Sequence, residues 1–341
     1  MKEKFKAIWL FFLRFGLSAL LLAWLFSRID YKHTWAAVKG ADKSYLLAAF
    51  GIFFVTNIMI LLRWLILMRA LHLKFRKLSG VRWFFIGLFC NLFLPTSIGG
   101  DVIKALGLAK ETGHKPKVFA SIVLDRLTGF AGIVTVASVS FFFGRQMIGD
   151  SSLVISIVTM AGVSLGLAIV LFSHRIFSWA CKAFKTWPRI KDGLMSLHYD
   201  IVLMRGKQKE FVATVGISAL AQMALAYDFY LVAQGMHQNI SLIYFIIFSP
   251  LVCVVTSLPS IGGLGVREIG WVYLLSKVGV HQGVALGLSL LNFSFMILVG
   301  LIGGVWYVAS FSTGRVQHYQ TDIPLKPRHA ARPASGAFEL D

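Results

Sequence analysis

Charge is scarce in this chain: 14% of its 341 residues are Asp, Glu, Lys or Arg, against about 25% in an ordinary soluble domain. Cysteine is scarcer still. Cys90, Cys181 and Cys253 lie far apart, which excludes a disulfide framework and a cysteine metal site and leaves them as small core residues. The nine histidines, from His33 to His329, show no metal-ligand spacing. There is no GxxxxGK[ST] phosphate loop, so the chain is not itself an ATPase, and no HExxH zinc motif. No cofactor and no enzymatic chemistry are therefore expected.

What is present is apolar surface. Hydrophobic residues make up 57% of the chain and its mean hydropathy is +0.73. The apolar residues come in blocks of about 20, the length that crosses a hydrocarbon core about 30 Å thick. These blocks predict an all-α, polytopic membrane protein. The expected spans are Ile8–Phe26, Ser44–Leu67, Val118–Phe143, Leu153–Phe172, Phe211–Ala233, Leu242–Leu258, Val266–Val280 and Val284–Ala309. Residues 1–311 form the membrane domain on this reading. Residues 312–341, polar and holding three of the eight prolines, form a disordered cytoplasmic tail.

The 34 basic residues outnumber the 15 acidic ones, a surplus of +19. In a soluble protein that would suggest nucleic acid. Here the cations fall in loops, where they report orientation and contact with anionic headgroups, and nucleic acid is not an expected partner. His72–Arg82 carries four cations and no acid, and Ser173–Glu210 carries eight against three. Both belong in the cytoplasm, as does the lysine-rich N-terminus of a retained first helix. Trp179–Arg205 is either an interfacial amphipathic helix or a solvated loop.

This orientation conflicts with one more apolar segment, Trp83–Ile98. As a ninth span it would invert everything after it; as a re-entrant segment it leaves eight spans and both termini inside. Non-helical backbone is tolerated at membrane depth only inside protein or beside a wet cavity, so re-entry would mark a site.

Two glycine loops echo each other. Leu94–Asp101 reads LPTSIGGD and Leu258–Gly265 reads LPSIGGLG, with Pro95 and Pro259 separated by 164 residues. Proline removes a backbone donor and glycine permits turns closed to other residues, so each loop breaks a helix. The restarting helix points unpaired N–H groups and the positive end of its dipole into the gap. Paired breaks in corresponding halves are the sequence signature of a transporter binding site. The reading is of two pseudo-repeated halves enclosing a polar cavity.

At this point the chain resembles the lysylphosphatidylglycerol synthase transmembrane-region family, the flippase-like domain of multiple peptide resistance factors. The resemblance rests on Arg63-Trp64, Asn91, Pro95, Gly99-Gly100-Asp101, Asp125-Arg126 and the run Leu258-Pro259 through Gly262-Gly263-Leu264-Gly265-Val266-Arg267-Glu268. Lys104 stands where an arginine is common, and Asp125 where a glutamate is common. The cytoplasmic aminoacyl-transfer domain of the full synthases has no counterpart here. The resemblance implies a lipid-translocating domain of a plasma membrane, with a phospholipid, polyprenyl-linked sugar or hopanoid as cargo.

Candidate site residues follow from both arguments. Gly99, Gly100, Gly262, Gly263 and Gly265 would offer N–H groups to a lipid phosphate. Lys104, Arg126 and Arg267 would add charge, and Asp101, Asp125 and Glu268 would balance it when the site is empty. Asn91, Pro95 and Pro259 complete the set. Expected partners are membrane lipids with an anionic or prenyl-linked headgroup, a separate lipid-modifying transferase, and a second copy of the chain. Asp228 reads either as a proton-coupling carboxylate or as a solvated helix end, the simpler alternative. Arg63 and Arg69 read as snorkelling interfacial cations. Asp101 and Tyr227-Asp228 do not fit an intramembrane aspartyl protease, since Ile98 occupies a required glycine and the order is reversed. The rival functions are an accessory subunit that presents lipid to a transferase and a small-solute exporter.

Overall fold

The structure, a computed structural model, describes residues 31–94, 99–144, 206–256 and 264–312. The expected spans Ile8–Phe26 and Leu153–Phe172, the segment Trp179–Arg205, the tail beyond Ser312, and Pro95, Pro259, Gly262 and Gly263 lie outside the described residues. The described residues form nine helices and no strand. These are α1 (Tyr31–Lys39), α2 (Lys43–Ala70), α3 (Lys77–Asn91), α4 (Gly99–Thr112), α5 (Lys115–Gly144), α6 (Gln208–Gly235), α7 (Leu242–Val255), α8 (Val266–Ser276) and α9 (Gln282–Ser312).

Helix length separates two classes. α2, α5, α6 and α9 are long and apolar enough to cross a membrane. α3, α4, α7 and α8 hold 15, 14, 14 and 11 residues, short of the roughly 20 that a crossing needs. The described part of the segment, residues 83–94, accordingly holds no helix long enough for a ninth span. α3 and α4 run antiparallel, with Gly107 against Trp83 and the Gly100 N–H on Asn91. Arg82 and Trp83 close the base of the hairpin on the Glu111 carboxylate. Both ends of the hairpin lie on the side where α2 ends and α5 begins, which is re-entry. The sequence expected two full spans at Leu242–Leu258 and Val266–Val280. α7 and α8 stand there instead and pack together, Val252 against Gly270. Hydropathy alone cannot separate a buried 14-residue helix from a span, because both are uniformly apolar.

The order long, short, short, long therefore occurs twice. α6 and α7 start 165 residues after α2 and α3, and α8 and α9 start 167 residues after α4 and α5. Backbone corners repeat with them. His72 and His237 both take positive φ (52° and 58°) two residues past a long helix. The same bond closes each corner, Leu73 N to Met68 O at 3.1 Å and Gln238 N to Ala233 O at 2.9 Å. Gly113 and Gly279, also at positive φ, turn each short helix into the following long one.

The repeats are inverted with respect to each other. α2 and α6 form the most extensive helix pair and run antiparallel. Asp42, before α2, donates its N–H to the Gly235 carbonyl at the end of α6 (2.8 Å), whereas Arg63 near the other end meets Ser218. Asp42 also caps α2 through Ser44 N (2.8 Å), and the donated Ser44 bonds hold its carboxyl below the usual aspartate range. The hairpins thus enter from opposite sides and are exchanged between halves: α3 packs on α9, and α7 packs on α5. Gly303 permits the first of these crossings, since a Cβ there would stand 1.8 Å from the Phe85 carbonyl oxygen. Outward faces remain apolar, with Leu47, Val55 and Leu62 on α2 and Leu298, Leu301 and Val305 on α9 exposed, as a lipid-facing surface requires.

Candidate functional site

Between the first hairpin and the long helices lies a network of five charged side chains. Asp125 and Arg126 are adjacent on α5, so their side chains diverge by about 100° and reach different helices. Asp125 accepts from Arg63 Nε on α2 at 2.7 Å. Arg126 Nε donates to Asp101 Oδ2 on α4 at 2.6 Å. Lys104, one turn after Asp101, joins the two pairs: its Nζ is 3.1 Å from Asp101 Oδ1 and 4.0 Å from Asp125 Oδ2. Asp101 also sits in the first turn of α4, where the helix dipole favours an anion.

The network holds three cations and two acids, a net +1, and most of it is out of solvent. Lys104 is 3% exposed and its ammonium lies 4.3 Å from the Trp64 ring centre. The Trp64 indole is fixed by Ser121 Oγ at 3.1 Å. Arg126 is the partly exposed member, with 39% of its side chain accessible. Gly129 makes room for Arg63, whose Nη1 would lie 3.0 Å from a Cβ there.

Arg63 is therefore not a snorkelling interfacial anchor. It is 8% exposed, paired with Asp125, and donates from Nη1 to Ser218 Oγ on α6 at 3.0 Å. Its place near a span end suggested headgroups; the buried carboxylate that holds it inward is 62 residues away and invisible to local pattern. Arg69 is exposed.

The second hairpin carries its own pair. Arg267 Nη2 lies 2.6 Å from Glu268 Oε1, and both side chains bond Ser289 Oγ on α9 at 3.2 Å. Glu268 Oε2 accepts the Gly265 N–H at 2.6 Å, which caps α8 at a glycine whose φ of 87° excludes most other residues. Gly100 N is held likewise, by Asn91 Oδ1 at 2.8 Å. These two N–H groups, expected to face a phosphate, are capped by the chain's own side chains. The close approach of α3 also accounts for the glycine, since a Cβ at Gly100 would stand 2.1 Å from the Gly87 carbonyl oxygen.

A polar strip on α6 runs beside these clusters. Thr214, Ser218 and Gln222 recur every four residues on one face and are buried. Gln222 Nε2 donates to Ser249 Oγ on α7 at 2.8 Å and reaches Cys253 Sγ at 3.8 Å. Asp228, farther along α6, is not a solvated helix end: it is fully buried and accepts a short hydrogen bond from Asn292 Nδ2 on α9. Sequence reasoning missed Ser218, Gln222, Ser289 and Asn292. The i, i+4 spacing on α6 was the available signal for the first two; nothing local marks the others.

Comparison with known proteins places the chain among membrane proteins. No solved structure matches the chain. An UPF0104 membrane protein of Pyrococcus horikoshii is 22% identical over 293 residues, covering 78% of this chain and 87% of its own length. An UPF0104 membrane protein of Methanothermobacter thermautotrophicus is 22% identical over 314 residues, covering 85% of this chain and 90% of its own. The lysylphosphatidylglycerol synthase TM region matches residues 11–304, a match that takes in both hairpins and every charged residue described above. With its long, short, short, long repeats and its buried ion network, this multi-pass membrane chain belongs to that family.

Proposed function

We propose that the protein is a lipid translocase that carries an anionic or prenyl-linked headgroup across the plasma membrane while the tail stays in the bilayer. The observation that carries this reading is the pair of opposed re-entrant hairpins, each bringing buried charge to its broken end. Inverted halves with broken helices are the physical basis of alternating access to one site. The net-positive network supplies the attraction for a phosphate, and Arg126, its most accessible cation, is the first contact. Because the Gly100 and Gly265 N–H groups are capped, Lys104, Arg126 and Arg267 rather than backbone donors carry the headgroup charge. Asp101, Asp125 and Glu268 hold those cations until a phosphate replaces them. No covalent step is assigned to the protein. The basic loops, read by the positive-inside rule, support a cytoplasmic position for both termini.

The test is purified protein in liposomes with headgroup-labelled phosphatidylglycerol or a labelled prenyl phosphate. Transbilayer movement above that of empty vesicles is expected, and Arg267→Ala or Glu268→Gln should abolish it in correctly inserted protein. Lipid binding without movement would favour the accessory role of presenting lipid to a separate transferase. Normal movement in both variants would remove the second hairpin from the site.

A further inference from the structure

The offsets that relate the two repeats also relate their buried polar pairs. The 165-residue shift takes Arg63 on α2 to Asp228 on α6, and the 167-residue shift takes Asp125 on α5 to Asn292 on α9. Each position pairs across the same helix combination, Arg63 with Asp125 and Asp228 with Asn292. In the first repeat a fixed cation faces the carboxylate. In the second, the carboxylate faces a neutral amide that can satisfy only one of its oxygens.

Asp228 is 0% exposed, and its Oδ1 is buried with no hydrogen-bond partner. No salt bridge to it exists among the described residues. α6 packs against α2, α5, α7 and α9, and its Phe229 ring lies 4.3 Å from that of Trp271 on α8, whose two charged side chains, Arg267 and Glu268, pair with each other. On α2 and α5 the inward charges, Arg63 and Asp125, stand at the level of Ser218, about 15 Å along α6 from Asp228 at 1.5 Å per residue. Asp42 and Lys43 lie in the other direction, beside Gly235 and about 10 Å away by the same rise. α7 contributes only Tyr244 and Cys253 as titratable groups, α9 only Tyr307, and neither helix carries a charge. An ionised carboxylate in that setting would be desolvated with one neutral hydrogen bond, from Asn292, as its compensation among the described residues.

We propose that Asp228 is a proton-binding site, carrying an exchangeable proton on Oδ1 at the position where the first repeat holds a fixed ion pair. Asn292 holds the other oxygen and so fixes which one takes the proton. Binding is the simple equilibrium of carboxylate and proton with carboxylic acid, and release needs only that α6 and α9 part enough to admit water. Coupling of this proton to lipid movement rests on the proposed translocase function; the site itself does not.

Infrared difference spectroscopy of the whole protein in phosphatidylglycerol nanodiscs, titrated with acid and base, reads the proton directly. The wild type is expected to show a carboxylic C=O band at neutral pH that disappears reversibly in alkali. Asp228→Asn should lose it, and Asn292→Leu should shift it towards the free-acid frequency without removing it. The proposal is overturned if the wild type lacks the band at neutral pH, if Asp228→Asn leaves it intact, or if it survives alkali in folded protein. Should Asp228→Asn not fold, the wild-type titration and the Asn292→Leu shift decide the matter. In liposomes with labelled phosphatidylglycerol and an imposed pH step, wild-type movement should rise several-fold and Asp228→Asn should lose that response. An equal response in both overturns the coupling. No movement by the wild type counts against the translocase function, and the infrared bands still decide the proton site.

Discussion

At equivalent turns of the two repeats, one half of the molecule buries Arg63 against Asp125 and the other buries Asp228 against Asn292. The backbones match closely enough for helix starts and positive-φ corners to coincide, so the difference is one of side-chain chemistry. The first repeat holds permanent charge and needs every member of its network to stay paired. At the equivalent level the second, which keeps its Arg267–Glu268 pair on α8, holds a lone carboxyl that is neutral when protonated and needs no counter-ion. A duplicated fold can thus set unlike chemistry at like positions: a fixed ion pair at one and a lone carboxyl beside an amide at the other.

The largest expected effect breaks the first pair. Asp125→Ala strands the buried Arg63 and should cost about 3–5 kcal/mol, whereas Asp228→Asn should change stability by less than about 1 kcal/mol, because it replaces a neutral acid with a neutral amide. Thermal unfolding in detergent, followed by a thiol-independent dye or by tryptophan fluorescence, compares the two. Equal losses would mean that the Asp228 position also relies on fixed charge.

A smaller loss is expected where the exchanged hairpin meets the long helix. Gly303→Val drives its side chain into the Phe85 carbonyl and should cost about 1–3 kcal/mol by forcing α3 away from α9. Size-exclusion yield and unfolding temperature report it. Next comes the cap of the first hairpin. Asn91→Ala removes the acceptor of the Gly100 N–H and should cost about 1 kcal/mol. Asn91→Asp, which keeps the acceptor, should retain most of that stability in the same assay. The smallest change is Arg126→Gln, because its guanidinium is partly solvated and screened; stability should fall by less than about 1 kcal/mol. Native mass spectrometry should nevertheless show weaker retention of phosphatidylglycerol. Unchanged retention would move the first lipid contact away from this network.

Composition and hydropathy made the all-helical membrane class legible, and the doubled Pro-Ser-Ile-Gly-Gly pattern pointed to the places where the helices break. The second hairpin was not legible, because α7 is apolar throughout and reads as a short span until its 14 residues are set against the bilayer. Of the site, Asp101, Lys104, Asp125, Arg126, Arg267 and Glu268 stood out because charge in an apolar run is costly. Arg63 was misplaced and Asn292 missed for one shared reason. Their partners lie 62 and 64 residues away, and helical periodicity carries no information at that range. The equivalence of the two pairs becomes visible only when the helix boundaries fix the offset.

The antiparallel α2–α6 pair has a consequence for direction. Under the proposed translocase function, two inverted halves with matching helices offer a passenger from either leaflet the same backbone path. The helix framework of the described residues then contributes nothing to the sign of such a flux. Whatever makes the journey one-way must come from the few places where the halves are chemically unlike, or from unequal supply and removal of lipid on the two sides.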